Sequence, residues 1–263
     1  MSDPPAQGTT PPGATGEREA AFWVRGMFDR VARRYDFLNH LLSLNFDRRW
    51  RARAVRELQP ALGRPGSRIL DLCCGTGDLL LELSGTVHSV HGGTECTVPR
   101  NPAVVLGIDF SRPMLLAARR KIGRRTLDAA VAEADALALP LADGALDLVT
   151  TAFGFRNLAN YEKGLREIRR VLKPGGLAAI LEFSRPPSAI FAALYGFYSR
   201  RVLPAIGGAI SGEAGAYKYL PESVRRFPDA EQLAEMMRDA GFLEVRFERM
   251  TGGIVALHVG RVE

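Results

Sequence analysis

Cysteine is scarce in this chain. Three occur in 263 residues, and two of them, Cys73 and Cys74, are neighbours, so no disulfide framework can be built. The N-terminus lacks the charged-then-apolar order of a signal peptide, which makes a reducing cytoplasm the expected compartment. Long apolar runs are missing too. The longest uncharged one, residues 186–199, falls short of the roughly 20 residues that a bilayer-spanning helix needs. Metal-ligand clusters are sparse: His88, His91 and Cys96 lie near one another without a fourth ligand, so no metal is expected. The excess of six positive charges is scattered over Arg48, Arg49, Arg51 and Arg53, residues 119–125, and Arg225 with Arg226. Solvated helix faces or an anionic membrane surface account for such clusters. No single element joins basic and aromatic residues in a strip, so nucleic acid is not an expected partner.

What is present is an ordinary globular balance, 46% apolar and 24% charged, which excludes disorder throughout, collagen-like fibre and coiled coil. Residues 1–16 are rich in Pro, Gly and Thr and read as a disordered tail. Residues 17–263 read as one domain. Its first part, 17–62, is helical; Val55, Leu58 and Leu62 share one face, and the intervening arginines are expected to face water.

From Arg68 the pattern alternates. Strand-like runs at 68–74, 103–110, 129–133, 147–153 and 177–183 are separated by helical stretches. Ser111 is placed to cap the second of these helices, with Pro113 in its first turn. The helix over 160–172 is expected to stop at Lys173-Pro-Gly-Gly, and a last helix spans 229–240. Two closing strands, 242–249 and 253–260, are joined by Thr251-Gly252-Gly253 and read as an antiparallel hairpin. The alternation predicts an α/β fold: a mostly parallel seven-stranded sheet, Rossmann-like, with helices on both faces. Residues 84–102 read as a Gly-rich polar insertion.

In an open parallel sheet, ligands bind outside the carboxyl ends of the strands. There lies LDLCCGTGD (70–78), whose Gly75 and Gly77, with Thr76 between, let backbone approach a ligand closely. The loop lacks the full G-x-G-x-x-G of pyrophosphate binders, and Asp71 and Asp78 flank it. Such acids suit an ammonium or sulfonium ligand, and S-adenosylmethionine carries both. Asp109 ends the second strand, where a carboxylate can accept hydrogen bonds from ribose hydroxyls. Asp135 and Ala136 follow the third, where a carboxylate and a backbone N–H can read the edge of adenine. Three acids at three successive strand ends beside one glycine turn form a coherent cofactor site.

The ordered set of segments resembles the menaquinone/ubiquinone C-methyltransferase family within the class I methyltransferase fold. The segments are FDRVARRYDFLNHLLSLNFDRRWR (28–51), LDLCCGTGD (70–78), LGIDFSRPML (106–115), FGFRNLANYEKGLREIRRVLKPGG (153–176), LEFSRP (181–186) and YKYLPESVRRFPDAEQL (217–233). The resemblance implies methyl transfer from S-adenosylmethionine to a ring carbon of a prenylated hydroquinone, demethylmenaquinol giving menaquinol. It also implies catalytic roles for Arg156, Asn157 and Tyr35, with Arg156 a cation that lowers the substrate hydroxyl's pKa rather than a free base. A substrate-side insertion is placed at about 184–228. Its apolar residues Ile190, Phe191, Leu194, Tyr195, Phe197 and Tyr198, with Tyr217, Tyr219 and Leu220, are candidates for an isoprenoid channel or for plain core. Peripheral contact with the inner membrane face and a homodimer complete the expected partners. A benzoquinol acceptor, another small molecule or RNA, and a binding protein without catalysis stay open as alternatives.

Overall fold

The structure, a computed structural model, describes residues 8–32, 35–36, 40, 43–91, 103–125, 127–198, 201 and 214–263. Two helices, α1 (Glu17–Val31) and α2 (Phe46–Leu62), precede the sheet. Then come β1 (Arg68–Leu72), α3 (Asp78–His91), β2 (Val104–Asp109), α4 (Arg112–Arg125), β3 (Ala129–Glu133) and β4 (Leu146–Ala152). A 3-10 turn (Phe155–Asn157) leads into α5 (Tyr161–Val171), β5 (Leu172–Phe183), α6 (Ala189–Phe197), α7 (Ala214–Arg226) and α8 (Ala230–Asp239). The chain closes with β6 (Leu243–Met250) and β7 (Val255–Arg261).

The seven strands form one sheet in the order β3-β2-β1-β4-β5-β7-β6. The first five are parallel; β7 runs antiparallel to both β5 and β6. This is the mostly parallel sheet with an antiparallel closing pair that the sequence predicts. Strand order reverses between β1 and β4, which pair through Ile69↔Leu148 to Asp71↔Thr150. Helices leaving on opposite faces at such a reversal open a crevice at the strands' carboxyl ends. That crevice is the cavity described below.

Side chains alternate along a strand, so β1 sends Leu70 and Leu72 to one core and Ile69 to the other. The first core packs α5 and α8 through Leu165, Ile168, Leu233 and Met237. The second packs α2 and α3 through Leu58, Leu62, Leu80 and Leu83. Each fully buried leucine contributes about 1.5–3 kcal/mol. α8 begins with a reciprocal cap: Gln232 N–H donates to Asp229 at 3.0 Å, and the Gln232 side chain accepts from Asp229 N–H at 3.0 Å.

Several expectations are corrected in detail. Arg51 does not face water: it is buried, donating to Asp47 at 2.9 Å and Glu82 at 3.0 Å, with Asp78 at 3.5 Å. Asp78 and Glu82 of α3 join Asp47 of its own helix around it, a meeting that helical spacing within α2 alone does not reveal. The Ser111 hydroxyl donates to Asp29 Oδ1 at 2.6 Å instead of capping α4, because α1 brings that carboxylate over it. Residues 84–91 extend α3 with Ser84 and Val87 buried, and residues 92–102 of the expected insertion lie outside the described residues. Lys173-Pro-Gly-Gly ends α5 as expected but lies inside β5, taken up as a register shift between the Leu146 and Leu148 pairings. Of residues 8–16, expected within a disordered tail, Thr9 is buried and its N–H donates to Leu158 O, just past the 3-10 turn, at 2.8 Å. Residues 1–7 lie outside the described residues.

Candidate active site

A cavity of about 330 Å³ opens at the carboxyl ends of β1, β2 and β4. Its walls include Asp71, Gly75, Thr76, Asp109, Asp135 and Ala136 on the β1–β3 side, Tyr35 over the glycine turn, and Arg156 and Asn157 on the β4–β5 side. Gly77, also expected in the site, stands just behind the wall. It holds φ +84°, and a Cβ there would come within 3.1 Å of the Ala118 Cβ, so only glycine lets α3 start so close to α4.

At the β1–β3 end the chain is arranged around carboxylates. Asp71 is buried with Thr150 Oγ1 donating to its Oδ1 at 3.3 Å, while Oδ2 has no hydrogen-bond partner. Burial, reinforced by the nearby Asp109 charge, pushes its carboxyl up to about 8. Asp109 accepts Gly75 N–H at 2.9 Å and Ser111 N–H at 2.8 Å, which locks the glycine turn against β2. Burial outweighs these bonds and raises Asp109 to about 6. Asp135 Oδ1 accepts Leu137 N–H at 2.9 Å, and Ala134 N–H is tied to Asp109 O at 3.1 Å. Thr76 donates to Asp36 and receives Lys121 Nζ at 3.1 Å; Lys121 also holds Asp78 at 2.6 Å. Asp78 therefore has its charge matched by protein cations, whereas Asp71 has none in hydrogen-bond contact.

At the β4–β5 end sits one buried guanidinium. Arg156 Nη1 donates to Glu182 Oε1 at 2.9 Å, and the Arg156 backbone N–H donates to Glu182 Oε2 at 3.1 Å. Its guanidinium lies 5.2 Å from the centre of the Phe183 ring, and its Nε is buried without a partner. Burial opposes the charge of Arg156, but Glu182 and the phenols of Tyr35 and Tyr219 hold it above its ordinary range. Phe153 adopts φ +60°, rare for a residue with a Cβ, and turns its carbonyl to Arg156 Nη1. Asn157 accepts Tyr219 Oη–H at 3.1 Å. Tyr35 packs its edge on Phe28 at 5.8 Å and stands over the glycine turn, 4.0 Å from where a Gly75 Cβ would be.

All ten expected site residues converge here, nine on the cavity wall and Gly77 directly behind it. Of the isoprenoid-channel candidates, Tyr195, Tyr198 and Leu220 line the cavity, Phe191 packs on Gly252, and Ile190 is exposed. The side chains of Leu194, Phe197 and Tyr217 lie outside the described residues. Tyr219 is core, packed with Val24 and Met27, and its hydroxyl bonds Asn157. Cys73 and Cys74 both line the cavity. Sequence reasoning does not find the aromatic group Phe46, Trp50, Phe153 and Phe183, whose ring centres lie 4.9–6.4 Å apart in neighbouring pairs. The aromatics at 46, 50, 153 and 183 come from three distant stretches, so only the fold brings them together. Of the sparse metal set, His88 is exposed on α3, while the His91 side chain and Cys96 lie outside the described residues. Among the described residues, His40, Asp47 and Asp78 approach one another, but Arg51 and Lys121 already balance them. None of the described helices is long and apolar enough to cross a membrane.

Residues 14–262 match the ubiE/COQ5 methyltransferase family. The chain belongs to this family. The methyltransferase is 53% identical over 234 residues to the demethylmenaquinone methyltransferase of Thermus thermophilus, covering 89% of this chain and 99% of that one. It is 46% identical to the protein of the same name from Deinococcus radiodurans, covering 90% and 91%. Its identity to the ubiquinone/menaquinone biosynthesis C-methyltransferase UbiE of Geotalea uraniireducens is 42%, covering 90% and 95%. Among solved structures, the methyltransferase shares its fold with a SAM-dependent methyltransferase of Thermotoga maritima, at TM-score 0.57 and 18% identity over 90% of this chain and 99% of that one. The [4+2]-cyclase SpnF has the same fold at TM-score 0.63 and 19% identity, covering 98% and 99%. A cyclase on this fold means that architecture alone does not decide chemistry, which rests on the site.

Proposed function

We propose that this methyltransferase moves the methyl group of S-adenosylmethionine to a ring carbon of demethylmenaquinol, giving menaquinol. The observation that carries the reading is one cavity with unmatched carboxyl groups at one end and a buried guanidinium at the other. The relatives' names give the acceptor.

The cofactor end fits the donor. Asp71, with its bare Oδ2, would take the ammonium; Asp109 would take ribose hydroxyls; Asp135 and the Ala136 backbone would take the purine edge. Gly75, Thr76 and Gly77 would let the chain pass close beneath it. When bound, the donor supplies an electrophilic methyl carbon on a sulfonium. The protein's task is then to make the acceptor carbon nucleophilic and to hold it in line.

Arg156 performs the first part. Held above its ordinary range, it remains a cation, so it stabilises a phenolate and does not remove the proton itself. The substrate hydroxyl gives its proton to water as the phenolate forms, and electron density from that oxygen passes into the ring. The ring carbon would take the methyl group as its bond to sulfur breaks and the neutral thioether leaves, and the ring proton then passes to water, restoring the aromatic ring. Asn157 and Tyr35 orient the substrate oxygen and that water. Tyr195, Tyr198 and Leu220 offer an apolar wall to the tail. Leu44 and Phe46, at the cavity and 67% and 36% exposed, stand beside Arg48 and Arg49, an arrangement that favours contact with an anionic bilayer holding the quinol.

The test is one assay with purified protein, labelled methyl donor, and reduced demethylmenaquinol or its benzoquinol counterpart, with mass analysis of products. Ring methylation of the naphthoquinol is expected. Methylation of the benzoquinol alone would overturn the choice of acceptor.

A further inference from the structure

We infer that the N-terminal segment belongs to the substrate-orienting machinery, with Thr9 a positioning residue that sets the amide of Asn157 through Tyr219. This deepens the reading above, since it presumes a substrate oxygen that becomes anionic beside Arg156. Residues 8–13 precede the span matched to the family, so that match gives this segment no role.

Thr9 is buried although it lies in a Pro-, Gly- and Thr-rich stretch. Its N–H donates to Leu158 O at 2.8 Å, which fixes the segment against the residue following Arg156 and Asn157. Its Oγ1 lies 2.6 Å from Tyr219 Oη, and Tyr219 Oη–H donates to Asn157 Oδ1 at 3.1 Å. A phenol has a single proton. Since Tyr219 gives its proton to Asn157, the Thr9 hydroxyl must be the donor to Tyr219. The chain of bonds therefore runs one way, from Thr9 to Tyr219 to Asn157.

The segment is fitted, not merely adjacent. A Cβ on Gly8 would fall 1.9 Å from Ala159 O, so only glycine allows this approach. Farther along, Glu17 at the start of α1 receives Asn160 Nδ2 at 2.8 Å, and the Trp23 ring lies 5.1 Å from that of Tyr219. Both contacts hold α1 and α7 over the 3-10 turn.

The chemical consequence concerns the two ends of an amide. With Oδ1 occupied as an acceptor, Asn157 keeps its Nδ2 end as the donor: one N–H goes to Phe153 O at 3.5 Å and the second is left for the cavity that Asn157 lines. A donor there joins Arg156 in stabilising a phenolate. The flipped amide would turn lone pairs toward the developing negative charge and oppose it. Tyr219 Oη–H on one side and Phe153 O on the other make the flip costly, and Thr9 anchors the Tyr219 oxygen where it can serve, without touching substrate.

The test uses full-length chains carrying Thr9→Val, Thr9→Ser, Tyr219→Phe and the pair Thr9→Val/Tyr219→Phe. Thr9→Val should lower kcat about tenfold, the loss of one hydrogen bond, with KM for the quinol and calorimetric donor affinity nearly unchanged. Thr9→Ser should restore kcat, and the double variant should be no worse than Tyr219→Phe, because both act through one relay. Wild-type kcat in Thr9→Val, or losses that multiply in the double variant, would overturn the proposal. A readout without substrate separates this from the acceptor assignment: the side-chain amide protons of Asn157, observed by NMR in the ligand-free protein. Thr9→Val should shift them and speed their exchange with water, and that result upholds the relay even if demethylmenaquinol proves not to be the acceptor. Unmoved Asn157 signals would refute the relay whatever the acceptor.

Discussion

At the β1–β3 end of the cavity the protein gathers acids; at the β4–β5 end it buries a guanidinium with its own counter-charge. Asp71 and Asp109 are raised to about 8 and about 6 because desolvation is not matched by cations in contact with them. Arg156 is raised because Glu182 takes two of its N–H groups and lies almost wholly out of water. One end is thus electrostatically incomplete until a cation arrives, and the other is complete before substrate enters. The incomplete end is suited to binding a charged donor tightly. The complete end gains only when an oxygen acquires negative charge, which is the condition for favouring a transition state over a ground state. It follows that the acid end should respond most to pH and ligand, and the guanidinium end most to mutation.

The largest effect is expected at Glu182. Glu182→Ala leaves Arg156 buried beside the Phe183 ring without a carboxylate, and stranding a buried ion costs about 3–5 kcal/mol. Denaturant unfolding of the ligand-free protein measures this directly. A loss below about 1 kcal/mol, the range of surface pairs, would mean that the guanidinium end is not self-contained. Next is Arg156→Ala, which should lower turnover about 10²–10³-fold, the range for removing a donor aimed at developing charge. Donor affinity by calorimetry should be nearly unchanged, since Arg156 is at the other end of the cavity. Comparable losses in turnover and donor affinity would erase the distinction between the two ends.

The same comparison marks what was legible in the sequence. Asp71, Asp109 and Asp135 can be found because each lies at or just past the carboxyl end of a strand and one stands beside a glycine turn: local pattern and the strand-end rule meet on the same residues. Arg156 and Asn157 follow the fourth strand and were placed by family resemblance. What supports them was not legible. Glu182, an acid at the end of the fifth strand, can be read as meeting the substrate pocket or as equally well surface or structural, and nothing in its neighbours announces that it pairs with Arg156. Arg51 shows the same limit: its spacing on α2 is that of a solvated face, and α3 brings Asp78 and Glu82 to join Asp47 of its own helix in letting it be buried. Thr9 lies in a stretch whose composition resists ordering, and its partners are 149 and 210 residues away, counting from Thr9 to Leu158 and to Tyr219. Composition reports what a segment can bury by itself and is blind to a groove that accepts it.

The smallest effect, and the most specific to the acid end, is the pH dependence that Asp71 imposes on stability. Its carboxyl is raised to about 8 in the folded chain, so from about pH 4 to about pH 8 the native state holds a proton that the unfolded chain has released. Stability from this group is therefore full below the unfolded value and is lost as pH climbs through the folded one. Asp109 acts in the same sense only up to about 6. His258 acts in the opposite sense: burial lowers it to about 4, so its contribution rises with pH up to its ordinary value near 6.5. Of these three groups, Asp71 alone acts between pH 6.5 and 8, where it should cost about 2 kcal/mol, at about 1.4 kcal/mol per pH unit. Asp71→Asn should remove that slope, so that the melting temperatures of the ligand-free variant and wild type diverge as pH rises across this window. Parallel curves would show that Asp71 is already ionised without ligand, and the acid end would then be no less complete than its counterpart.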